Sequence, residues 1–372
     1  MPETNLFEEA NRQLTICNAC RYCEGLCPMF PALEARRSFD APDIRYLANL
    51  CHDCRACHDA CMFTEPHEFA INIPKLTSTV RMESYEHWSW PGFLARSFAD
   101  TQKGILLGVG AALIVLFSAL LLIPSSHLFG LHRGPGGFYQ VVSYAAMIVP
   151  AIALVFLGSA IWLQGGVRFW TESDSSLSKP ATGLGPLFRA LRDSATTKYL
   201  GGGGAGCIYA GEVPSQWRRI FHTLVVWGFL SDLISTTLAF IYQDFLGMQP
   251  PYALTSCPVI FGTAGGIALV IGTGGLVVFK LRSDRSQAAD KAYGLDYAFL
   301  VFLGLAAFTG LLLLICRSTS AMGSILILHL AMVAALFITA PYGKFVHFVY
   351  RGLALVRYQI EIQGAQHTNG HK

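Results

Sequence analysis

Polar and apolar stretches divide the chain into two parts. Charged residues are spread through residues 1–100, and long uncharged runs follow. These runs cover 104–132, 134–167, 245–279, 297–316 and 318–343. A further run, 220–242, contains a single charged residue, Asp232. A helix needs about 20 apolar residues to cross the hydrocarbon of a bilayer. We therefore predict six membrane spans, at roughly 104–124, 138–163, 219–242, 257–281, 295–316 and 325–349. Core helices of a large soluble protein are the alternative, which six such runs disfavour.

Composition supports a chain that is mostly shielded from water. Hydrophobic residues make up 53% of the 372 residues and charged residues 14%, whereas about 25% charged residues is usual for a globular domain. The net charge of +3 is small and gives no indication of nucleic-acid binding. The expected surroundings of the second part are a lipid bilayer.

The basic residues of the connecting loops predict an orientation. Cytoplasmic loops of membrane proteins are enriched in Lys and Arg. The loops after spans two and four and the C-terminal segment are basic, and the opposite loops hold only Arg133 and Arg317. The basic residues are Arg168, Lys179, Arg189, Arg192, Lys198, Arg218 and Arg219, then Lys280, Arg282, Arg285 and Lys291, then Lys344, Arg351 and Arg357. We expect the N-terminal part and the C-terminus on the cytoplasmic side of a bacterial inner membrane.

Eight of the eleven cysteines lie between Cys17 and Cys61. A disulfide framework and a metal site both produce such a cluster. The segment from Met1 to Asn11 is acidic and polar and lacks the features of an export signal. We therefore expect a reducing compartment, where metal binding is favoured.

The cysteines form two runs of identical spacing. The first run is Cys17-x-x-Cys20-x-x-Cys23-x-x-x-Cys27 followed by proline, and the second is Cys51-x-x-Cys54-x-x-Cys57-x-x-x-Cys61 followed by Met62. This spacing is typical of bacterial two-cluster ferredoxins, in which the fourth cysteine of a run binds the other cluster. We predict two 4Fe–4S clusters. Their ligands would be Cys17, Cys20, Cys23 and Cys61 for the first, and Cys27, Cys51, Cys54 and Cys57 for the second.

Two Cys₄ zinc sites are the alternative use of eight thiolates. Zinc ribbons pair two separated C-x₂-C knuckles and do not place four cysteines in one run, so the spacing favours iron–sulfur clusters. Between the runs, residues 32–39 and 42–50 are predicted to be helical, with Pro42 in a first turn. This indicates a helical type of two-cluster domain. We expect the nearby His52, His58 and His67 to be surface or hydrogen-bonding residues.

The connection 168–218 contains serine-rich and glycine-rich pieces, including Gly201–Gly204. A flexible loop and a docking or gating loop are both open. We interpret Cys207, near its end, as a plain thiol. The glycines of span four are expected to allow close helix packing.

Histidines inside membrane spans are candidates for function. His222 opens span three and His347 closes span six, so both are expected at one depth near the cytoplasmic face, where two helices could hold a b-type haem. His329 lies about 27 Å from His347 along a continuous helix, so the two could not share one iron. A second haem at His329 would need another partner, and Asp232, which lies near that depth, is a poor ligand for haem iron. His127 and His132 in an outer loop are weaker candidates, and helix-end hydrogen bonding is the alternative role.

Three long motifs resemble one known family. They are residues 16–25 around the first run, residues 46–55 around the second, and residues 66–75, which read Pro-His-Glu-Phe-Ala-Ile-Asn-Ile-Pro-Lys. All three are similar to the tricarballylate-utilisation protein B (CitB-like) family, and Gly201–Cys207 is similar to its glycine-rich loop. The resemblance covers essentially the whole chain.

The resemblance implies a function. Members of the family accept electrons from a partner FAD-dependent tricarballylate dehydrogenase, which converts tricarballylate to cis-aconitate, and pass them toward the quinone pool. The membrane part is also similar to the gamma-type cytochrome b of nitrate reductases, which has two histidines in an earlier span. Here Asp232 takes the place of the second of these, which weakens the case for a second haem.

These inferences combine into an all-α protein with three parts. We predict a cytoplasmic ferredoxin-like domain with two clusters at 1–100, a six-span, cytochrome b-like membrane domain at 101–350 and a cytoplasmic tail at 351–372. The protein would transfer electrons to quinone and would not be the substrate dehydrogenase itself. The alternatives are a membrane subunit of a different dehydrogenase or of a thiol/disulfide reductase, and a transporter regulated by a redox domain. A transporter should show broken helices and polar residues at mid-membrane, which the spans lack apart from Asp232.

Overall fold

A computed structural model describes residues 3–173, 183–208 and 213–369. Within these ranges every regular element is a helix, and one isolated antiparallel bridge joins Cys207 to Ser215. The all-α prediction is confirmed. Lys179, one of the basic residues used to predict the orientation, lies outside the described residues.

Six helices precede the membrane part or lead into it. They are α1 (Glu3–Cys20), α2 (Met29–Glu34), α3 (Ala41–Leu50), α4 (Ala56–Asp59), α5 (Ile73–Trp88) and α6 (Gly92–Ala99). Asp40 caps α3 by accepting a hydrogen bond from the N–H of Asp43 at 2.9 Å, with Pro42 in the first turn as predicted. The other helix predicted between the cysteine runs, at 32–39, corresponds to α2. Helix α2 starts earlier than predicted, directly after Pro28, and is shorter, since it ends at Glu34.

Six further helices are long and apolar enough to cross a membrane. They are α7 (Thr101–Leu122), α9 (Tyr144–Glu172), α11 (Trp217–Asp244), α12 (Cys257–Arg282), α13 (Asp290–Cys316) and α14 (Met322–Thr339). A short helix, α8 (Ser125–Leu128), lies between the first two. The prediction of six spans is confirmed. Helix α9 starts later than predicted because Ser143 caps it after a turn at Gly137–Gln140.

The sixth span ends ten residues earlier than predicted. Helix α14 stops at Thr339, and a turn and a short 3₁₀ segment (Lys344–Val346) lead to α15 (His347–Asn369). Pro341 lies at this break. Proline lacks the N–H that a continuing helix needs. His347 therefore begins α15 and does not close a membrane helix, so the predicted separation of 27 Å from His329 along one helix is wrong.

The C-terminal segment packs against the N-terminal helices. Tyr350, Ala354, Leu355 and Tyr358 are buried with residues of α1, α2, α3 and α5 in one hydrophobic core. The buried Arg36 guanidinium pairs with Glu361 of α15 at 2.7 Å. The segment predicted as a tail is thus, as far as Asn369, a helix. We call the assembly of α1–α5, α15 and α10 (Gly185–Ala195), whose Ala190 joins this core, the head.

Helices α11 and α12 approach each other closely through glycines, as expected from the sequence of span four. A Cβ atom on Gly265 would lie 2.8 Å from the carbonyl oxygen of Gly228, and one on Gly272 would lie 2.8 Å from that of Phe221. Only residues without a side chain allow this backbone separation. The close pair positions the head-side end of α11, where His222 lies.

Candidate functional site

The eight clustered cysteines form two groups in the head. In the first group, burial and the nearby Cys61, Cys23 and Cys20 raise the pKa of the Cys17 thiol to about 12. In the second, burial and the nearby Cys54 and Cys51 raise the pKa of Cys27 well above its usual value. Cys57 has Cys54, Cys51 and Cys27 as neighbours. Cys23 of the first group also affects its thiol, but less strongly. Each group thus contains three cysteines of one run and the last cysteine of the other.

The first group surrounds a partly open cavity of about 410 Å³. All four of its cysteines line this space, together with apolar residues such as Phe30, Phe63 and Ile71. In the described ranges, no three His, Cys, Asp or Glu side chains converge closely enough to hold one metal ion. The four thiols of the first group border this common space. Four thiolates that each meet a different iron of a cubane need such an arrangement.

The two runs wrap their thiols with the same backbone device. Arg21 follows Cys20 with a φ of 56°, and Arg55 follows Cys54 with a φ of 64°. Both residues occupy the left-handed region, which costs a non-glycine residue roughly 1–2 kcal/mol. Equivalent positions in both runs therefore adopt the same unfavourable conformation.

Backbone N–H groups point at several of the sulfur atoms. Phe63 N lies 3.4 Å from the Sγ of Cys61, and Asp53 N lies 3.4 Å from the Sγ of Cys51. The N–H groups of Met29 and Phe30 also bond to Cys27. Such donors stabilise negative charge on sulfur, and hydrogen bonds of this kind tune iron–sulfur clusters.

The two groups differ in exposure. Cys20 is exposed, and the neighbouring Tyr22 and Met62 are 68% and 69% exposed. Cys51 and Cys54 are each only 6% exposed. The first group therefore lies near the head surface, and the second lies deeper.

Buried cations surround the backbone of the second run. The carbonyl oxygen of Cys51 accepts hydrogen bonds from Arg81 at 2.6 Å and from Arg351 at 2.8 Å. Arg218 of α11 donates to the carbonyl oxygen of Asp53 at 2.5 Å. Burial and the neighbouring Arg81 lower the pKa of Arg351 to about 10, so Arg351 stays charged at neutral pH. These arginines connect the second group with α5, α11 and α15.

The glycine-rich segment lies against both cysteine runs. A Cβ atom on Gly203 (φ 73°) would lie 3.3 Å from the carbonyl oxygen of Gly25, and one on Gly202 (φ 52°) would lie 3.7 Å from Ala56. Ile208 N donates to the carbonyl oxygen of Cys54 at 3.0 Å. The described part of the 168–218 connection is therefore a docking segment within the chain, formed by α10, a 3₁₀ segment (Lys198–Gly204) and these contacts. Residues 174–182 and 209–212 lie outside the described residues.

Cys207 is buried beside Cys54 but lies outside the two groups of four. Its Sγ donates to the carbonyl oxygen of Leu200 at 2.9 Å. This contact agrees with its interpretation as a thiol that is not a ligand.

The structure brings His222 and His347 together. Their ring centroids are 6.4 Å apart and the ring planes are inclined by 78°. Nδ1 of His347 donates to the carbonyl oxygen of Lys344 at 2.6 Å, and Nδ1 of His222 is buried without a hydrogen-bond partner among the described residues. His52, expected at the surface or in a hydrogen bond, is buried near this pair, with Nδ1 2.8 Å from the carbonyl oxygen of Leu50.

His329 lies apart from this pair. It sits between α14 and α13, where its Nδ1 is 3.1 Å from the carbonyl oxygen of Ala306 and 3.2 Å from Oγ1 of Thr309. Asp232 lies against Gly265 of α12. His127 and His132 bond within their own loop, His127 to the carbonyl oxygen of Gln140 and His132 to its side chain.

One buried charge cluster was missed by the sequence analysis. The carboxylate of Asp296 pairs with Lys280 at 2.6 Å and with Lys344 at 2.8 Å. Asp296 and Lys280 lie at the head-side ends of predicted spans. Charged residues inside predicted spans are functional candidates, and this feature could have identified the cluster from the sequence.

Comparison with known proteins places these features in context. The profile of a family described as "Citrate utilization protein B" matches residues 99–368, and that of a "Citrate utilization protein B Fer4-like domain" matches residues 10–87. The chain is 38% identical to "Citrate utilization protein B" of Escherichia coli over 358 residues, which are 95% of this chain and 92% of the relative. No solved structure matches the chain. The Fer4-like match spans both cysteine runs and indicates an iron–sulfur electron-transfer role.

Proposed function

The chain belongs to the citrate utilization protein B family, and we propose that it carries electrons from a soluble flavoprotein to membrane quinone. The head would hold two 4Fe–4S clusters, and the junction of head and membrane helices would hold one b-type haem. This family membership confirms the CitB-like resemblance read from the sequence.

The grouping of the cysteines is the observation that carries this proposal. Each group has four thiols contributed by both runs, and the first group encloses a space. The spacing of the two runs and the space bordered by the thiols of the first group support two cubanes rather than two zinc ions. The proposed ligands are Cys17, Cys20, Cys23 and Cys61 for the first cluster, and Cys27, Cys51, Cys54 and Cys57 for the second. A 4Fe–4S cluster exchanges single electrons, which suits the division of an electron pair from a flavin.

The facing histidines support a haem site. The ring centroids lie 6.4 Å apart, a separation at which both imidazoles could bind one metal ion, since metal–imidazole bonds are about 2.0–2.1 Å long. The hydrogen bond from His347 to the Lys344 carbonyl fixes the tautomer that leaves Nε2 available as a ligand. We propose that His222 and His347 would hold the haem. The proposal does not extend to His329, whose described contacts are with α13.

Exposure and position suggest an order of transfer. Cys20 and Tyr22 lie at the head surface, where a donor protein can approach. Cys51 and Cys54 are buried, and His52 between them lies near His222. Electrons would thus enter at the first group and leave from the second toward the histidine pair.

The proposed donor is an FAD-dependent tricarballylate dehydrogenase. The name of the Escherichia coli relative refers to citrate utilization, and citrate and tricarballylate are both tricarboxylates. A membrane subunit for a different dehydrogenase or for a thiol/disulfide reductase would use the same clusters and is the alternative. The proposed location is the bacterial inner membrane, with the head on the cytoplasmic side.

A growth experiment tests the donor assignment. Deleting the gene should block growth on tricarballylate while leaving tricarballylate dehydrogenase active in extracts with an artificial electron acceptor. Complementation with the wild-type gene should restore growth, and complementation with a Cys54→Ser variant should not. Normal growth of the deletion strain on tricarballylate would exclude this substrate and favour another donor.

A further inference from the structure

A second cavity lies at the junction of the membrane helices with the head. It lies between α6, α7, α13, α14 and the 3₁₀ segment that begins at Lys344, and it is partly open. Apolar side chains such as Phe299, Phe302 and Phe345 form most of its wall, and small residues such as Gly104 and Ala298 leave the room. Pockets for small organic ligands have this mostly apolar character.

One charged residue borders this apolar space. Among the lining residues in the described chain, Lys344 carries the charge. Its Nζ is 2.8 Å from the carboxylate of Asp296, which also pairs with Lys280 at 2.6 Å. Two cations share one anion, so the cluster has a net positive charge. An ammonium group has three donors, and a carbonyl oxygen of a bound ligand would be a suitable acceptor for one of them.

The cavity is adjacent to the histidine pair. The carbonyl oxygen of Lys344 accepts the hydrogen bond of His347, and Phe345, two residues before His347, lines the cavity. The ring of Phe345 also contacts Phe299 of α13 with centroids 5.5 Å apart. A ligand in the cavity would therefore lie beside the segment that we propose to hold the haem.

The cavity also reaches the surface of the membrane helices. Ile105 of α7 lines the cavity and is 37% exposed, and the next residue, Leu106, is 68% exposed. On a membrane span, such exposed apolar side chains face lipid. An apolar tail could leave the cavity by this side.

We propose that this cavity binds the head group of a lipid-soluble quinone, with Lys344 donating a hydrogen bond to a quinone carbonyl. The ring would lie on the aromatic wall and the tail would point toward lipid. This inference rests on the proposed function, because it gives the electron acceptor a place next to His347. The acyl chains of a lipid could also lie against the apolar wall, but they have no ring carbonyl that could accept a hydrogen bond from Lys344. An experiment with competing quinones therefore distinguishes the two occupants.

Photolabelling of the full-length protein in lipid nanodiscs tests the site. An azido-ubiquinone analogue should label peptides covering residues 98–105 or 339–345, and excess decylubiquinone should displace it. Gly104→Leu should reduce the displaceable labelling at least tenfold, because the added side chain fills the cavity. Its Cβ would lie at ordinary contact distance from Phe98, 3.4 Å from the ring and 3.5 Å from the carbonyl oxygen. Gly110→Leu is the matched control on the same helix, since a Cβ there meets nothing within 4 Å. Lys344→Met should also weaken labelling, and Lys103→Met, at an exposed position of α7, should not.

Iron and acid-labile sulfide are measured in the same samples. Labelling at another place, labelling that Gly104→Leu leaves unchanged, or labelling that decylubiquinone does not displace, as expected for a lipid-filled groove, would overturn the inference. If clusters are present in such samples, the proposed function stands without this site. Samples without labile sulfide would overturn the proposed function itself.

Discussion

The imidazole rings of His222 and His347 lie edge to face at a centroid distance of 6.4 Å, although one lies in a membrane helix and the other begins a helix of the head. If they hold one haem, replacing either with Ala should abolish the α-band of reduced b-type haem in the purified protein. His329→Ala is the control, because its contacts lie between α13 and α14, and it should leave the band in place. Loss of the band in His329→Ala alone would show that the wrong histidines have been paired.

The buried arginines near Cys51 predict a difference in reduction potential between the two clusters. Arg351→Gln removes a positive charge whose guanidinium contacts the Cys51 carbonyl. At an effective dielectric constant of about 20, one charge several ångströms away is worth on the order of 2 kcal/mol. The potential of the cluster whose EPR signal Cys54→Ser removes should fall by tens of millivolts, and that of the other cluster should change less.

Two further variants control this redox titration. Arg351→Lys keeps the charge and should restore most of the potential, which a purely structural role of the arginine would not predict. Arg21→Gln removes an exposed arginine beside the first run and should leave the second cluster unchanged. Equal shifts of both clusters in Arg351→Gln would contradict the local electrostatic explanation.

Helix α15 should contribute to the stability of the head through Glu361. Its carboxylate pairs with Arg36, whose side chain is 2% exposed. Removing one partner of a buried ion pair costs about 3–5 kcal/mol, because the other charge remains buried. Glu361→Ala should therefore lower the thermal unfolding temperature of the purified protein and expose α15 to limited proteolysis. Arg36 keeps a second partner in Asp43 at 2.6 Å, so we expect the low end of that range.

Glu9→Ala provides the matched control for Glu361→Ala. Glu9 forms an ion pair with Arg12 at 2.6 Å, but both side chains are partly exposed. Exposed pairs contribute about 0–1 kcal/mol, so the unfolding temperature should hardly change. Equal effects of the two variants would contradict the view that α15 is a structural part of the head.

The basic loops predict the orientation of the protein in the membrane. They lie at the same end of the helices as the head: Arg218 contacts Asp53, and Lys280 lies beside Asp296 and Lys344. A reporter fused after Lys372 should be active in the cytoplasm, and one inserted near Ser125 should be active outside. The opposite result would place the head in an oxidising compartment and exclude a cytoplasmic donor.

The sequence predicts those features that depend on residues close together along the chain, and it does not predict those that depend on contacts between distant residues. The two cysteine runs could be identified because their spacing is local. The length of the apolar runs predicted the spans, but the same pattern continues past Pro341 and hid the end of α14. The proximity of His222 and His347 was expected from a continuous sixth span, whereas the structure achieves it through a break and a new helix.

Other features depend on contacts that no local pattern records. Arg81 and Arg351 meet at the carbonyl of Cys51 although they are far apart along the chain. The docking of Gly202 and Gly203 against both runs likewise depends on tertiary packing. A glycine-rich segment is compatible with a flexible loop or a tight contact, and only the position of its neighbours decides between them.

The central claim is that the head holds two 4Fe–4S clusters, each bound by cysteines of both runs. The most direct measurement is the iron and acid-labile sulfide content of anaerobically purified protein, combined with EPR spectra after reduction. We predict about eight cluster irons and eight sulfides per chain, with loss of one cluster in Cys20→Ser, loss of the other in Cys54→Ser, and both retained in Cys207→Ser. Stoichiometric zinc without labile sulfide would contradict the account.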